Sequence, residues 1–395
     1  MSEFRTIREL CSVVVDCPHS TPKWTANGKI VIRNKNIKHG KIDFSSPSYT
    51  DDEHFAQRIK RAKPQPGDII ITREAPIGDV GMIPENTECC LGQRMVLLRA
   101  NQSVCDNFYL LYSLQSLYVQ HQISWSEGTG TTVSNLRIPH LEQIQIPYLP
   151  LEQQAKISSV LRALEEKIEN NRRLNDNLEQ QAQSYFQELF VDNADPEWAI
   201  GTISDLGTVV GGSTPSKAKP EYYTESGIAW ITPKDLSINK SKFVSHGEND
   251  ITELGLKNSS AAIMPEGTVL FSSRAPIGYI AIAAGEVTTN QGFKSVVPKP
   301  EIGTPFVYFF LKNTLPVIEG MASGSTFKEV SGSTMKNVPA VIPDAETLAK
   351  FSDFCAPIFA QQRIWEEQNQ SLATLRDNLL PKLMSGEIDV SAVQL

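Results

Sequence analysis

The sequence has no long apolar run, no paired cysteines and no surplus of positive charge. Its apolar stretches, such as Phe306–Leu311 and Tyr279–Ala284, stop far short of the roughly 20 residues that a membrane-spanning helix needs. No apolar segment follows a basic start at Met1–Thr6, so a chain without a secretory leader is expected. The six cysteines, at 11, 17, 89, 90, 105 and 355, form no CxxC pair and no metal-type spacing with histidine. Free thiols in a reducing cytoplasm are the plain expectation. These absences argue against a membrane protein, a disulfide scaffold and a structural zinc protein. What is present is an ordinary globular composition, 40% hydrophobic and 21% charged over 395 residues. That length suits two or three domains of roughly 100–200 residues each.

The net charge of −8 is unevenly spread. Residues 1–150 hold 16 Lys and Arg against 15 Asp and Glu, and residues 201–343 hold 12 against 12. The acidity lies in residues 151–200, with 5 against 10, and in residues 344–395, with 4 against 8. A chain that neutralised many DNA phosphates unaided would be more basic. Charge therefore counts against nucleic-acid binding by this chain alone.

Catalytic motifs are missing too. There is no GxxxxGK[ST] loop, no GxSxG elbow, no HExxH and no Asn-Pro-Pro-aromatic loop. Gly128-Thr-Gly and Gly211-Gly212-Ser do not match a dinucleotide fingerprint. Asp68 with Glu74 has the look of a nuclease carboxylate pair, but no lysine completes it, and the corresponding residues of the second copy are Thr268 and Arg274. The six histidines are scattered singly. The expectation is a chain with no catalytic centre, no metal site and no cofactor site.

That second copy is the main positive feature. Residues 67–81, GDIIITREAPIGDVG, are answered 200 positions later by 267–281, GTVLFSSRAPIGYIA. Ile30–Ile37 answers Trp230–Leu236, Gly130-Thr131-Thr132 answers Gly324-Ser325-Thr326, and Ile146-Pro147 answers Ile342-Pro343. A repeat this long means two whole domains. Each copy has a mixed front part, with short strands such as Asp68–Thr72 and Thr268–Ser272, and a helical back part. Positions 157, 161, 164, 168, 171, 175, 178, 182, 185 and 189 form a heptad seam, and a shift of 194 repeats the frame from Phe351 to Leu383. Pro150 suits a first helical position, Pro357 should kink the second helix or delay its start, and Pro381 should end it or nearly so.

Two exposed seams in one chain are best resolved by pairing the helices antiparallel, with Asn171, Asn175, Gln362 and Asn369 clustered in the middle to fix register. The alternative is that each helix packs on its own front domain. Glu165, Glu166, Glu169, Glu366 and Glu367 read as a solvated face. The expected fold is α+β: two pseudo-repeated mixed α/β domains separated by two long helices that form an antiparallel coiled-coil spacer. The boundaries are 1–149, 150–192 (first helix), 193–343 and 344–395 (second helix and tail).

Binding residues are sought in the basic, amide-rich segments. Arg33, Lys35, Asn36 and Lys38 lie in one, and Arg58, Lys60, Arg61 and Lys63 form another. In the second copy Lys234, Lys240 and Lys242 occupy the matching region. Arg73 and Arg274 precede the repeated Ala-Pro-Ile-Gly, while Arg94 and Gln291 follow in Gln93-Arg94 and Asn290-Gln291-Gly292-Phe293. Lys and Arg hold phosphates, and Arg, Asn and Gln pair with guanine or adenine edges. The same residues also fit solvated loops, and Pro-Ile-Gly also fits a turn that the fold needs.

Taken in order, Pro-Leu-Glu-Gln-Gln-Ala-Lys-Ile at 150–157, Gly-Gly-Ser-Thr-Pro-Ser at 211–216 and Trp-Ile-Thr-Pro-Lys-Asp-Leu at 230–236 resemble the DNA-specificity subunit of type I restriction–modification enzymes. Leu-Phe-Ser-Ser-Arg-Ala-Pro-Ile-Gly at 270–278, Thr-Asn-Gln-Gly-Phe at 289–293 and Leu-Leu-Pro-Lys-Leu-Met-Ser-Gly-Glu-Ile at 379–388 extend the resemblance along the chain. The first front domain departs from it, with Ile-Val-Ile-Arg-Asn-Lys-Asn-Ile and Leu-Gly-Gln-Arg at the matching places. The second helix lacks the Glu-Gln-Gln of the first. The resemblance implies two target-recognition domains, each reading half of a split, asymmetric site in double-stranded DNA. It implies helices that set the gap, with half-sites about one DNA turn, ~34 Å, apart. The implied partners are two methyltransferase subunits that bind S-adenosylmethionine, and restriction subunits driven by ATP with Mg. A cytoplasmic location follows. The competing reading is a protein–protein adaptor: a coiled-coil ruler carrying two protein-binding domains, with no DNA involved.

Overall fold

The computed structural model describes residues 3–38, 40–125, 135–324 and 328–390. Gly128-Thr-Gly, the Gly130-Thr131-Thr132 match, Ser325 and Thr326 lie outside the described residues. The chain forms two compact units, one built from Met1–Ile168 with Ser371–Leu395 and the other from Glu169–Gln370. Each long helix therefore contributes its two halves to different units.

The first unit is built on a four-stranded antiparallel sheet in the order Cys11–Asp16, Met95–Ala100, Ile69–Thr72, Val80–Met82. A smaller sheet sets Lys29–Ile32 antiparallel to Ser48–Thr50 and parallel to Cys89–Leu91. A ribbon joins Glu3–Thr6 to Gln145–Tyr148. The second unit repeats the plan. Its main sheet runs Gly207–Gly211, Lys294–Pro298, Val269–Ser273, Ile277–Ala283, Phe243–Val244. Its smaller sheet runs Tyr223–Thr224, Asn249–Ile251, Ile228–Ile231, Thr288–Thr289, and its ribbon joins Ala199–Thr202 to Pro339–Ile342. The Ala-Pro peptides at 75–76 and 275–276 are both cis, and Gly67 and Gly267 both take φ of +83°, a left-handed turn that glycine adopts without a Cβ clash.

Alternation along the central strands divides each interior in two. Ile69 and Ile71 enter a core with Val96, Leu98, Tyr109, Ile157 and Leu161. Ile70 points the other way, to Cys17, Ile32, Met95 and Leu97. In the second unit Val269 and Phe271 join Phe186, Phe309, Phe351 and Cys355, while Leu270 joins Ile231, Val244 and Phe293. Strands buried on both faces read as unbroken apolar runs, which is why Ile-Ile-Ile and Val-Leu-Phe carry no polar residue. All six cysteines are buried and unpaired. Among the described residues no helix is long and apolar enough to cross a membrane.

The two long helices run Leu151–Gln187 and Ala345–Met384. Pro150 stands one residue ahead of the first, its carbonyl accepting from Gln153 and Gln154. Pro357 does not delay the second helix, which begins at Ala345 and continues past both prolines; Pro381 falls three residues before its end. Within the second unit Asn171 Nδ2 donates to Gln368 Oε1 at 2.8 Å and Asn369 Oδ1 at 3.0 Å. Asn175 and Gln362 exchange side-chain-to-carbonyl bonds of 3.2 and 3.0 Å. Partner numbers fall as the first helix advances, so the helices pair antiparallel. They also pack on the front domains, since Ile157 and Leu161 belong to one main core and Phe351 and Cys355 to the other. The two arrangements weighed from the sequence occur together.

Two of the glutamates expected on a solvated face are structural instead. Glu165 accepts from Tyr112 Oη at 3.0 Å and lies 3.6 Å from Arg376. Glu366 accepts from the backbone N–H groups of Lys242 and Phe243 at 2.8 and 3.0 Å. Nearby, the Lys242 ammonium lies 2.6 Å from Glu179 and donates to Gln362 Oε1 at 2.8 Å. Glu179 also pairs with Lys312 and accepts from Tyr308 Oη at 3.1 Å. Burial pulls the Lys242 ammonium down to about 8 against the attraction of Glu179. Burial alone would raise the Glu179 carboxyl, but Lys242 and Lys312 together hold it below the usual carboxylate range.

This cluster predicts an order of stability loss. Glu179→Gln leaves a buried lysine without its countercharge, a change that typically costs about 3–5 kcal/mol. Lys242→Met leaves Glu179 paired with Lys312 and should cost clearly less. Urea unfolding of both variants checks the order, and an equal loss would contradict it.

Candidate nucleic-acid interface

Backbone bonds give the residue-by-residue correspondence of the two units. Gly92 N–H donates to Ile32 O at 2.7 Å, and Asn290 N–H to Ile231 O at 3.0 Å. Arg73 N–H donates to Arg94 O at 2.8 Å, and Ser273 N–H to Gly292 O at 2.7 Å. The turn after the small-sheet strand is capped in the same way in both. Asn36 Oδ1 accepts from Arg33 N–H at 3.0 Å, and Asp235 Oδ2 accepts from Thr232 N–H at 2.7 Å. Asn36 therefore matches Asp235, and Lys35, one residue earlier, matches Lys234. Gln93 matches Gln291, and Glu74 matches Arg274. One frame thus presents the same lysine and glutamine twice. Elsewhere it carries different side chains, with Arg33 against Thr232, Asn34 against Pro233 and Glu74 against Arg274.

In the second unit this frame borders a cleft of about 640 Å³, lined by Thr214, Lys217, Tyr223, Trp230, Lys234, Glu248, Arg274, Asn290 and Gln291 among others. Tyr223 meets Trp230 edge-on at 5.6 Å, and the indole N–H donates to Ser213 O at 3.0 Å. The cleft offers cations, amides and aromatic surface together, as a groove that holds a phosphate backbone beside base edges requires. Lys217, Tyr223 and Trp230 were not among the binding residues expected from the sequence. The interleaving of lysines and aromatics from Lys217 to Lys234 is the signal that could have found them.

The expected binding residues divide by burial. Three belong to the interior. Arg58 gives its guanidinium to four carbonyls, those of Leu91 at 2.7 Å, Gly92 and Ser20 at 2.9 Å, and Pro18 at 3.1 Å. Asn36 is the cap just described, and its Nδ2 donates to Asp43 O at 2.9 Å. Lys242 lies in the Glu179 cluster. All three are corrected from contact residues to structural ones, because each buried polar group already has its partners. Arg73 is half-buried, held by Asp16 at 2.9 Å and Leu136 O at 2.8 Å. The others reach the surface. Arg33 lies over the Trp24 ring at 5.0 Å, Lys35 donates to Ser46 at 3.2 Å, and Lys38 lies 3.8 Å from Asp43. Lys60 and Arg61 follow the helix Asp52–Arg58 and are exposed. Lys240 lies over the Tyr279 ring at 4.6 Å. Arg94 stands 3.2 Å from Glu74, Lys234 2.6 Å from Glu248 and Arg274 3.5 Å from Glu329. Gln291 Oε1 accepts from Thr214 Oγ1.

The suspected Asp68 and Glu74 pair is also accounted for. Asp68 is buried, takes both Arg99 Nε at 2.7 Å and Nη2 at 2.8 Å, and accepts from Gln65 N–H. Glu74 takes Arg94 and Asn135.

Burial predicts which substitutions break the fold. Arg58→Ala strands four carbonyls and should cost several kcal/mol, at roughly 1–3 kcal/mol for each buried group left unpaired. Lys35→Ala and Lys234→Ala should stay within about 0.5 kcal/mol of the wild type. Thermal unfolding followed by circular dichroism separates the two classes.

Residues 3–180 and 196–379 both match the family model described as the type I restriction modification DNA specificity domain. The MjaIX type I restriction enzyme specificity subunit of Methanocaldococcus jannaschii is 41% identical over 169 residues, 42% of this chain and 39% of that protein. The chain therefore spans about two-fifths of that relative's length. The putative MjaX specificity subunit of the same organism is 21% identical over 98% of this chain and 94% of its own length. The crystal structure of a type I restriction-modification S subunit from M. genitalium superposes with a TM-score of 0.60 at 19% identity, covering 97% of this chain and 96% of that one.

Proposed function

The chain belongs to the type I restriction modification DNA specificity family, and on that premise we propose that it is the non-catalytic DNA-recognition subunit of a type I complex. Each unit reads one half of a bipartite, asymmetric site in double-stranded DNA. The observation that carries this is the doubled frame with unequal contents. Lys35 and Lys234 recur where a phosphate can be held, while Arg33, Asn34 and Glu74 give way to Thr232, Pro233 and Arg274 where bases are distinguished. Two unlike readers in one chain suit an asymmetric sequence, as identical subunits suit a palindrome.

Chemistry belongs to the partners in this reading. Two methyltransferase subunits supply S-adenosylmethionine, restriction subunits supply ATP with Mg, and the assembly works in the cytoplasm. Partners also share the phosphate neutralisation that a chain of net charge −8 lacks. The paired helices act as the ruler between half-sites, with the Asn171, Asn175, Gln362 cluster fixing their register.

Two experiments test this. Selection from random duplexes, using the chain purified with its methyltransferase partners, should enrich a split asymmetric motif. No enrichment with the partner present would favour a protein–protein adaptor. Inserting four residues after Asn171 lengthens that helix by about 6 Å. The same selection should then return the original half-sites at a changed spacing; an unchanged spacing in a folded variant would sink the ruler.

A further inference from the structure

Two of the three cations that line the cleft of the second unit, Lys234 and Arg274, are already engaged. Lys234 Nζ lies 2.6 Å from Glu248, and Arg274 lies 3.5 Å from Glu329, which also stands 3.8 Å from Lys294. Lys234, Arg274 and Glu248 all line the cleft. The first unit does the same with other residues, setting Arg94 3.2 Å from Glu74. The side chains of Lys234 and Glu248 are 62% and 60% exposed, so their pairing adds little to stability. Their effect on an arriving DNA strand is larger. A phosphate that approaches Lys234 must displace the Glu248 carboxylate or sit beside it, and both lower the gain from the contact. Where the bases fit, hydrogen bonds from amides such as Asn290 and Gln291 offset that loss. Where they do not fit, nothing offsets it.

We propose that Glu248 and Glu329 are specificity-determining residues: they occupy two cations at the cleft of the second unit, Lys234 and Arg274, and suppress its binding to DNA of the wrong sequence. This rests on the reading of the chain as a DNA-recognition subunit. It makes the acids of the reading face part of discrimination and not a residue of overall composition.

The test compares the wild type, the double variant Glu248→Gln with Glu329→Gln, and Glu301→Gln, each as the full chain with its methyltransferase partners. Glu301 lines a different pocket beside Ala199–Gly201, so its loss changes net charge without touching the cleft. Binding of a random-sequence duplex is measured across a salt series, and the preferred motif of each protein is found by selection. For the double variant, the slope of log affinity against log salt should steepen by nearly two, ~0.9 for each of the cleft cations Lys234 and Arg274, with roughly tenfold tighter binding at low salt. Its selected motif should match that of the wild type, and Glu301→Gln should behave as the wild type. An unchanged slope overturns the proposal, and so does an equal effect of Glu301→Gln. An altered motif overturns it as well, since the carboxylates would then be reading bases, as a glutamate does at cytosine N4. If the wild type itself enriches no motif, the DNA-recognition reading fails. If it does and the double variant keeps its slope, only the role of the two glutamates fails.

Discussion

One strand in each unit serves two interiors, and the rest of the structure depends on that division. Ile69 and Ile71 belong to the core that includes Ile157 and Leu161 of the first long helix, while Ile70 belongs to the smaller core with Ile32 and Leu91. Val269 and Phe271 share a core with Phe351 and Cys355 of the second long helix, and Leu270 faces Ile231 and Phe293. A slip of one residue would exchange the two sets and mispack both cores. The small-sheet strands carry the frame with Lys35 and Lys234, so the sheet ties that frame to the helices through side chains of opposite pleat. Rigid support of this kind is what a reading surface needs if its contacts are to discriminate.

Local periodicity carried much of this in the sequence. The repeated Ala-Pro-Ile-Gly, the heptad seam and the mid-helix amides are patterns within a few turns of chain, and the amides meet as their spacing implies. The delayed start that Pro357 suggests does not occur, because a local rule met a tertiary one. Pro357 removes one donor, but Cys355, Ile358 and Phe359 around it are buried in the core, and that burial sustains the helix. The interior fates of Arg58 and Lys242 were not legible at all. Arg58 is saturated by carbonyls from Pro18 to Gly92, and Lys242 by Glu179 and Gln362, residues far away in sequence. A basic residue in a basic run looks the same whether it caps a loop or faces solvent. The cleft was missed for a related reason, since Tyr223 and Trp230 of the smaller sheet meet Arg274, which follows a main-sheet strand, only in the folded unit.

The repeat also hides a difference that bears on how each unit is held together. Met82 N–H donates to Gly40 O at 3.1 Å, and Ile282 N–H to Lys242 O at 2.7 Å, so Gly40 and Lys242 occupy one position of the shared frame. At Gly40 φ is +81°, a conformation that favours glycine, and a Cβ would displace the Gln115 amide, 2.6 Å away. The first unit closes there against the helix Asn107–Gln115 and ties its helical core through Tyr112, Glu165 and Arg376. The second unit instead sends the Lys242 ammonium inward to Glu179 and Gln362, on both long helices at once. A buried charge held by two partners tolerates little displacement, because a shift leaves an uncompensated ion in a dry interior. A glycine turn packed on an amide carries no such penalty. One ancestral frame has thus acquired two different joints, a glycine turn in the first unit and a buried ion pair in the second.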